Sequence, residues 1–314
     1  MASTRRQSRS KHILIAGSTG NLGRALVETG LGLGHRIRAV ARRPEALSHF
    51  SAERNLEIVR ARATHADELR GVCDGVDVVI TALGITRQRE GLTFRDVDYQ
   101  ANLNLLEEAE RSGVGKFMFT SGYGIEDSLD NAMYRAKKDF EGVLISSGAA
   151  YVIVRPTGFF SDMLMILDMA RGGRVYLFGA GSGRINPIHL LDLAEFYYAH
   201  MEDTHAILEV GGPESHSFEA IAELAFEALG KRKRVVHIPV FLTRALLPLL
   251  RPFSFNTYTE LKAFTRIMVR GAEAPKFGHR RQPAASGSWG APRIELPGRR
   301  AAAGSFPGIS RTRY

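Results

Sequence analysis

Seven residues, Gly17-Ser18-Thr19-Gly20-Asn21-Leu22-Gly23, stand between a short apolar run, His12 to Ala16, and a helical period that continues to Gly30. Glycine at 17 permits a tight turn. Glycine at 20 lets backbone N–H groups approach a pyrophosphate closely, and glycine at 23 lets a helix pack against the strand before it. An anion in such a loop sits on the positive end of the helix. Glycines at this spacing, in a strand–loop–helix context, predict a dinucleotide-binding unit with residues 17–23 as its cradle.

The chain beyond repeats the same alternation. Apolar runs recur at 37–40, 58–59, 76–80, 117–119 and 151–154, short, rich in Val and Ile and bounded by Gly. Such runs read as strands buried on both faces of a parallel sheet. Helical periods lie between them, at Asp67 to Cys73, Phe94 to Ser112 and Met133 to Ser147. This order predicts an α/β fold, a doubly wound parallel Rossmann sheet over 12–160. After Pro156 the pattern loosens. Helical stretches at 190–201, 218–229, 242–250 and 257–270 alternate with strand-like runs at 207–210 and 235–238, which predicts a smaller mixed α/β region over 161–278. That region is partly interleaved with the sheet and supplies substrate contacts. Residues 1–11 and 279–314 are expected to be disordered, since neither carries enough apolar material to offset chain entropy.

An NAD-preferring site places Asp or Glu about 20 residues beyond the glycine loop, where it accepts hydrogen bonds from the ribose 2′-hydroxyl. No acid occurs between Glu28 and Glu45, and Arg42 and Arg43 stand there instead. Guanidinium groups at that place pair with a 2′-phosphate, so NADP(H) is expected over NAD(H).

The glycine loop, the stretch Gly75-Val-Asp-Val-Val-Ile-Thr-Ala-Leu-Gly84 and the segment Arg155-Pro156-Thr157-Gly158-Phe159-Phe160 together resemble the atypical branch of the short-chain dehydrogenase/reductase superfamily. The nearest likeness is to its NmrA-like, isoflavone-reductase-like and divinyl-chlorophyllide-reductase-like members, over about residues 12–278. The resemblance implies that Ala82, Leu83 and Gly84 pass close to the adenine ribose, and that Pro156, Thr157, Gly158 and Phe159 lie beside the nicotinamide. It implies an NAD(P)H-dependent oxidoreductase that transfers hydride to a carbonyl or activated double bond of a small, apolar substrate. It equally implies a second class, a non-catalytic NADP(H)-binding redox sensor or assembly factor. Relatives of this kind end soon after a segment like 274–278, whereas this chain continues.

Reduction in that superfamily uses a tyrosine as proton donor, a lysine that lowers its pKa and a serine or threonine that positions the carbonyl. A phenol of pKa ~10 transfers protons poorly near neutrality until a cation stabilises the phenolate. Tyr134 and Lys138 share one helical face at i, i+4, and Thr120-Ser121 ends the strand before them. Lys137 also fits the lysine position, which places Met133 four residues upstream. Tyr123 is a second candidate acid, and Ser121 is the candidate positioning hydroxyl.

Charge bears on partners. The formal net charge is +9, but 1–11 contributes +4 and 279–314 contributes +6, which leaves the body at −1. A folded nucleic-acid binder carries its basic footprint on the fold, so no specific nucleic-acid partner is expected. No apolar run reaches the ~18–20 residues of a membrane span. Residues 241–253, apolar with Arg244 and Arg251, read as a lid helix over the substrate pocket or as a peripheral membrane contact. One cysteine, Cys73, points to a reducing, cytoplasmic location. His200, His205, Glu202 and Asp203 lack a metal-ligand spacing, so no metal is expected. His189 and Asp192 read as structural at the domain junction. A monomer or homodimer is expected.

Overall fold

A computed structural model describes residues 10–280 except 87 and 89. Strands β1 (His12–Ala16), β2 (Arg36–Ala41), β3 (Leu56–Arg60), β4 (Val78–Thr81), β5 (Lys116–Thr120) and β6 (Tyr151–Pro156) form a parallel sheet in the order β3-β2-β1-β4-β5-β6. Helices α1 (Asn21–Gly32), α2 (Ala101–Arg111) and α3 (Ala132–Ser146) make the crossovers. The pleat divides the core. Ile13 and Ile15 of β1 join Leu26 and Val27 of α1 on one face, while Leu14 and Ala16 join Leu105, Phe119 and Phe140 on the other.

Two expected helices differ from the sequence reading. Only Ala66–Leu69 of the 67–73 stretch winds, as a 3₁₀ turn, because Gly71 takes φ +83° and ends it. Arg95–Gln100 forms a π-helix ahead of α2. There the Asn102 side chain donates to the carbonyls of Val97 and Asp98, at 3.2 and 3.1 Å, and widens the turn.

The remaining chain builds α4 (Leu164–Arg171), β7 (Val175–Phe178), β8 (Arg184–Ile185), α5 (Leu190–Ala199), β9 (Ala206–Val210), β10 (His216–Ser217), α6 (Phe218–Ala228), β11 (Val235–Ile238), α7 (Val240–Leu250) and α8 (Phe255–Arg270). β9 does not stay with the smaller region. It pairs parallel with β6 as the seventh strand of the main sheet, and α5 packs on α1, with the Tyr198 hydroxyl donating to Leu26 O at 2.7 Å. β7 pairs with β11 and β8 with β10. A third core, with Ile166, Leu167, Phe218, Phe226 and Met268, lies under α4, α6 and α8.

The expected terminal segments lie outside the described residues for 1–9 and 281–314. At their inner ends, Ser10 donates to Gly34 O and Lys11 pairs with Glu202. His279 and Arg280 dock on α5: both backbone amides donate to Asp192, and the Arg280 guanidinium bonds Asp192 and Glu195. Asp192, Glu195 and His279 come within ligating distance of one another, but the Arg280 guanidinium already bonds both carboxylates.

Candidate functional site

The strand order reverses between β1 and β4, and ligands of open α/β sheets bind at the carboxyl ends of the strands at such a switch point. The glycine loop lies there. Gly17 adopts φ +75°, and a Cβ on it would meet the Ala82 carbonyl at 2.9 Å. A Cβ on Gly23 would stand 2.1 Å from Gly17 O, so helix and loop touch only because neither carries a side chain. Helix α1 starts at Gly20 with no side-chain cap and no acid in its first turn, whereas Asn131, His189, Ser217 and Ser254 cap α3, α5, α6 and α8. Its first amides are left for an anion, as a dinucleotide phosphate requires.

Not every residue of the cradle offers its side chain. Ser18 is fully buried and its hydroxyl donates to Val40 O at 2.8 Å, tying the loop to β2, while Leu22 packs into the core. Thr19 is half-buried, and Gly20 and Asn21 are exposed. Arg42 and Arg43 follow β2, both exposed, with Arg42 Nη1 3.0 Å from Glu90 Oε2.

Ala82, Leu83 and Gly84 leave β4 directly over a charged pair. Lys137 Nζ lies 3.0 Å from Asp98 Oδ1 and donates to Thr120 O at 3.2 Å. A Cβ on Gly84 would fall 2.9 Å from Asp98 Oδ1 and 3.0 Å from Lys137 Nζ. Asp98 is fully buried, and Oδ2 accepts from Ile85 N at 3.2 Å. Burial raises its pKa, opposed by the Lys137 charge.

Tyr134 and Lys138 are not brought together as a pair. Lys138 Nζ turns away to Glu126 and Glu141, at 2.6 and 3.3 Å, and joins Arg155, which holds the fully buried Glu141 at 2.6 Å. That cluster fastens α3 to β6. Lys137 is therefore the lysine that faces the Gly84 loop, and the residue four positions before it is Met133.

Tyr134 instead lies against Gly122, where an added Cβ would stand 3.1 Å from its ring. Desolvation raises its phenol pKa. Ser121, one residue before, ends its run with a buried hydroxyl that has no hydrogen-bond partner among the described residues. An orphaned buried hydroxyl at the carboxyl edge of a sheet fits a missing ligand. Tyr123, Tyr134 and Thr157 line a cavity of about 580 Å³ roofed by α7 and α8, and Thr265 adds a second unpartnered buried hydroxyl. Within the 156–159 segment, the Thr157 hydroxyl is spent on Asn186 O at 2.7 Å, Phe159 N donates to Asp162, and the Pro156 carbonyl accepts from Tyr123 N.

Asp98 and the α8 residues Thr265 and Arg266 were not marked by the sequence. Asp98 shares the buried face of its helical stretch with Phe94, Val97 and Ala101, where an acid is unusual. Arg266 reaches the cavity while paired with Asp127 at 3.2 Å, a contact across more than a hundred residues of chain.

Residues 17–183 match the family described as NAD(P)H-binding. A divinyl chlorophyllide a 8-vinyl-reductase of Oryza sativa subsp. indica is 29% identical over 250 residues, 73% of this chain and 61% of that protein. The chain thus spans about three-fifths of that reductase. The photosystem II assembly factor Ycf39 of Synechocystis is 24% identical, over 82% of this chain and 80% of its own. An NADPH-dependent quinone oxidoreductase of Escherichia coli, solved with NADPH, superposes with TM-score 0.62 at 18% identity, over 83% of this chain and 96% of its own. At the last identity the likeness concerns the fold alone. No helix among the described residues is long and apolar enough to cross a membrane. With the glycine loop, the parallel sheet and the match over 17–183 in agreement, the chain belongs to the NAD(P)H-binding family, in the atypical, NmrA-like branch of the short-chain dehydrogenase/reductases.

Proposed function

We propose that the protein is an NADPH-dependent reductase of a small, apolar carbonyl compound or activated alkene. The observation that carries this reading is the cavity itself. Tyr134 and Thr157 both line it, which supports a reading in which the phenol meets a substrate held there. A bound NADPH supplies the hydride. Arg42 and Arg43 take its 2′-phosphate, the amides of residues 17–23 its pyrophosphate, and the Ala82–Gly84 loop its adenosine half.

The ammonium of Lys137 has three donors, of which Asp98 and the Thr120 carbonyl occupy two. The third would be left for a ribose hydroxyl of the bound coenzyme. Ser121 orients the substrate oxygen with its unpartnered hydroxyl. Tyr134 gives the proton to the oxygen or carbon that becomes electron-rich, and recovers it from solvent. Burial keeps the phenol protonated near neutrality but also makes it a weaker acid, an effect that the Arg266 charge opposes. A cytoplasmic setting accords with the buried, unpaired Cys73.

One observation favours a second reading, an NADP(H)-binding sensor or assembly factor. The face of α3 that meets the Gly84 loop pairs Lys137 with Met133 rather than with a tyrosine. NADPH oxidation against a panel of quinones, enones and ketones separates the two. The reductase reading expects turnover with at least one class, and a loss of about 10²-fold or more in kcat for Tyr134→Phe at unchanged NADPH affinity. Tight NADPH binding without turnover on any of them selects the sensor. Turnover that survives Tyr134→Phe and fails with Tyr123→Phe moves the donor to Tyr123.

A further inference from the structure

Helix α7 is apolar apart from Thr243 and Arg244, yet only one side of it is covered. Val240, Thr243 and Leu247 turn inward and roof the cavity. Phe241, Leu242, Leu246 and Leu249 face outward, with Phe241 73% and Leu249 62% exposed, and Phe253 just beyond the helix is 87% exposed. A helix so largely apolar is ordinarily buried, and a contiguous apolar patch of this kind marks a docking surface.

Charge identifies what docks. From 228 to 259 the chain has six Lys or Arg and no Asp or Glu. Arg251 follows α7 and shares a cleft with Arg135 and Phe255, and neither arginine has an ion pair among the described residues. Asp130, which lines the same cleft, is paired with Lys262, and Asp127 in the adjoining cavity with Arg266. An isologous contact between two copies would set these arginines against their own equivalents, which disfavours self-association. An apolar face rimmed by unpaired guanidinium groups is the complement of an anionic lipid surface, where aromatic and aliphatic side chains enter the headgroup boundary and cations meet phosphates.

We infer that the outer face of α7, with Phe253, docks the protein on anionic bilayers, so that the roof of the cavity rests on the lipid. The inference stands on this surface alone and is independent of whether the cavity performs a reduction.

Flotation with vesicles of mixed phosphatidylcholine and phosphatidylglycerol, against phosphatidylcholine alone, tests it on the full chain. Binding is expected to the mixed vesicles, to weaken with added salt, and to fall by about tenfold or more in the triple variant Phe241→Ser, Leu249→Ser, Phe253→Ser. The basic segments 1–11 and 281–314 remain in that variant, so binding that survives it belongs to them and overturns the proposal. A second probe is independent of those segments. Phe253→Trp in a Trp289→Phe background should shift its emission to the blue when anionic vesicles are added, and an unchanged spectrum counts against docking. A dimer in sedimentation equilibrium that the triple variant dissolves would assign the face to a second copy and refute the lipid.

Discussion

Lys137 Nζ lies 3.0 Å from Asp98 Oδ1 beneath the Gly84 loop, a buried ion pair between the middle of α3 and the π turn that precedes α2. The pair fixes Lys137 against the Gly84 loop, and its breakage leaves a carboxylate in the core. Lys137→Met is expected to lower stability by roughly 3 kcal/mol near neutral pH. Burial already raises the Asp98 pKa above its unfolded value, and loss of the ammonium raises it further. The folded variant then binds a proton that the unfolded chain releases above pH ~4, so its stability falls as pH rises from that point. Urea unfolding at pH 5 and pH 8 measures this, and Asp98→Asn in the same chain should recover part of the loss.

Lys138 and Arg155 share the carboxylates Glu126 and Glu141 but differ in burial. Lys138→Met removes a partly exposed charge and should cost no more than about 1 kcal/mol, with NADPH affinity unchanged. Arg155→Met strips the buried Glu141 of its main partner and should cost roughly 3–5 kcal/mol. Chemical denaturation and coenzyme titration of the two variants, side by side, distinguish a fastening cluster from a catalytic lysine.

On the proposed reading, coenzyme preference would rest on Arg42 and Arg43. Replacing both with Ala should raise the NADPH Kd by about ten- to a hundredfold, as expected for charge-assisted hydrogen bonds, and leave NADH binding nearly unaltered. Calorimetry with the two coenzymes reads the ratio directly. Equal weakening of both would remove the arginines from the 2′-phosphate.

Cys73 is buried against the sheet, and desolvation pushes its thiol up to about 12. It should react with a disulfide reagent only after unfolding. The unfolded thiol ionises from pH ~8.5 while the folded one stays neutral, so the wild type loses stability between there and about pH 12. At pH 10 that loss is about 2 kcal/mol relative to pH 8, and Cys73→Ala should show a correspondingly flatter dependence in urea.

The cofactor half was legible because its determinants are local. Turn glycines and short Val/Ile runs act within a few residues of where they stand. The catalytic half was not. Tyr134 and Lys138 have the right spacing, but whether a lysine faces the coenzyme or a distant carboxylate is decided by Glu126, Glu141 and Arg155, which meet only in three dimensions. Asp98 stands at a spacing that matches the buried Phe94 and Ala101, but its partner Lys137 on α3 meets it only in three dimensions. The run at 207–210 was recognised as a strand, but its place beside β6 depends on register with a segment some fifty residues earlier.

That late strand has a bearing on how the molecule is made. Because β9 covers the edge of β6, and α5 reaches back to seal α1, the nucleotide-binding half cannot be completed until about two-thirds of the chain has been synthesised. A polypeptide stopped at 160 presents a bare row of amides and carbonyls along β6, an adhesive margin for other unfinished chains. A cut at 160 therefore divides one sheet between two fragments.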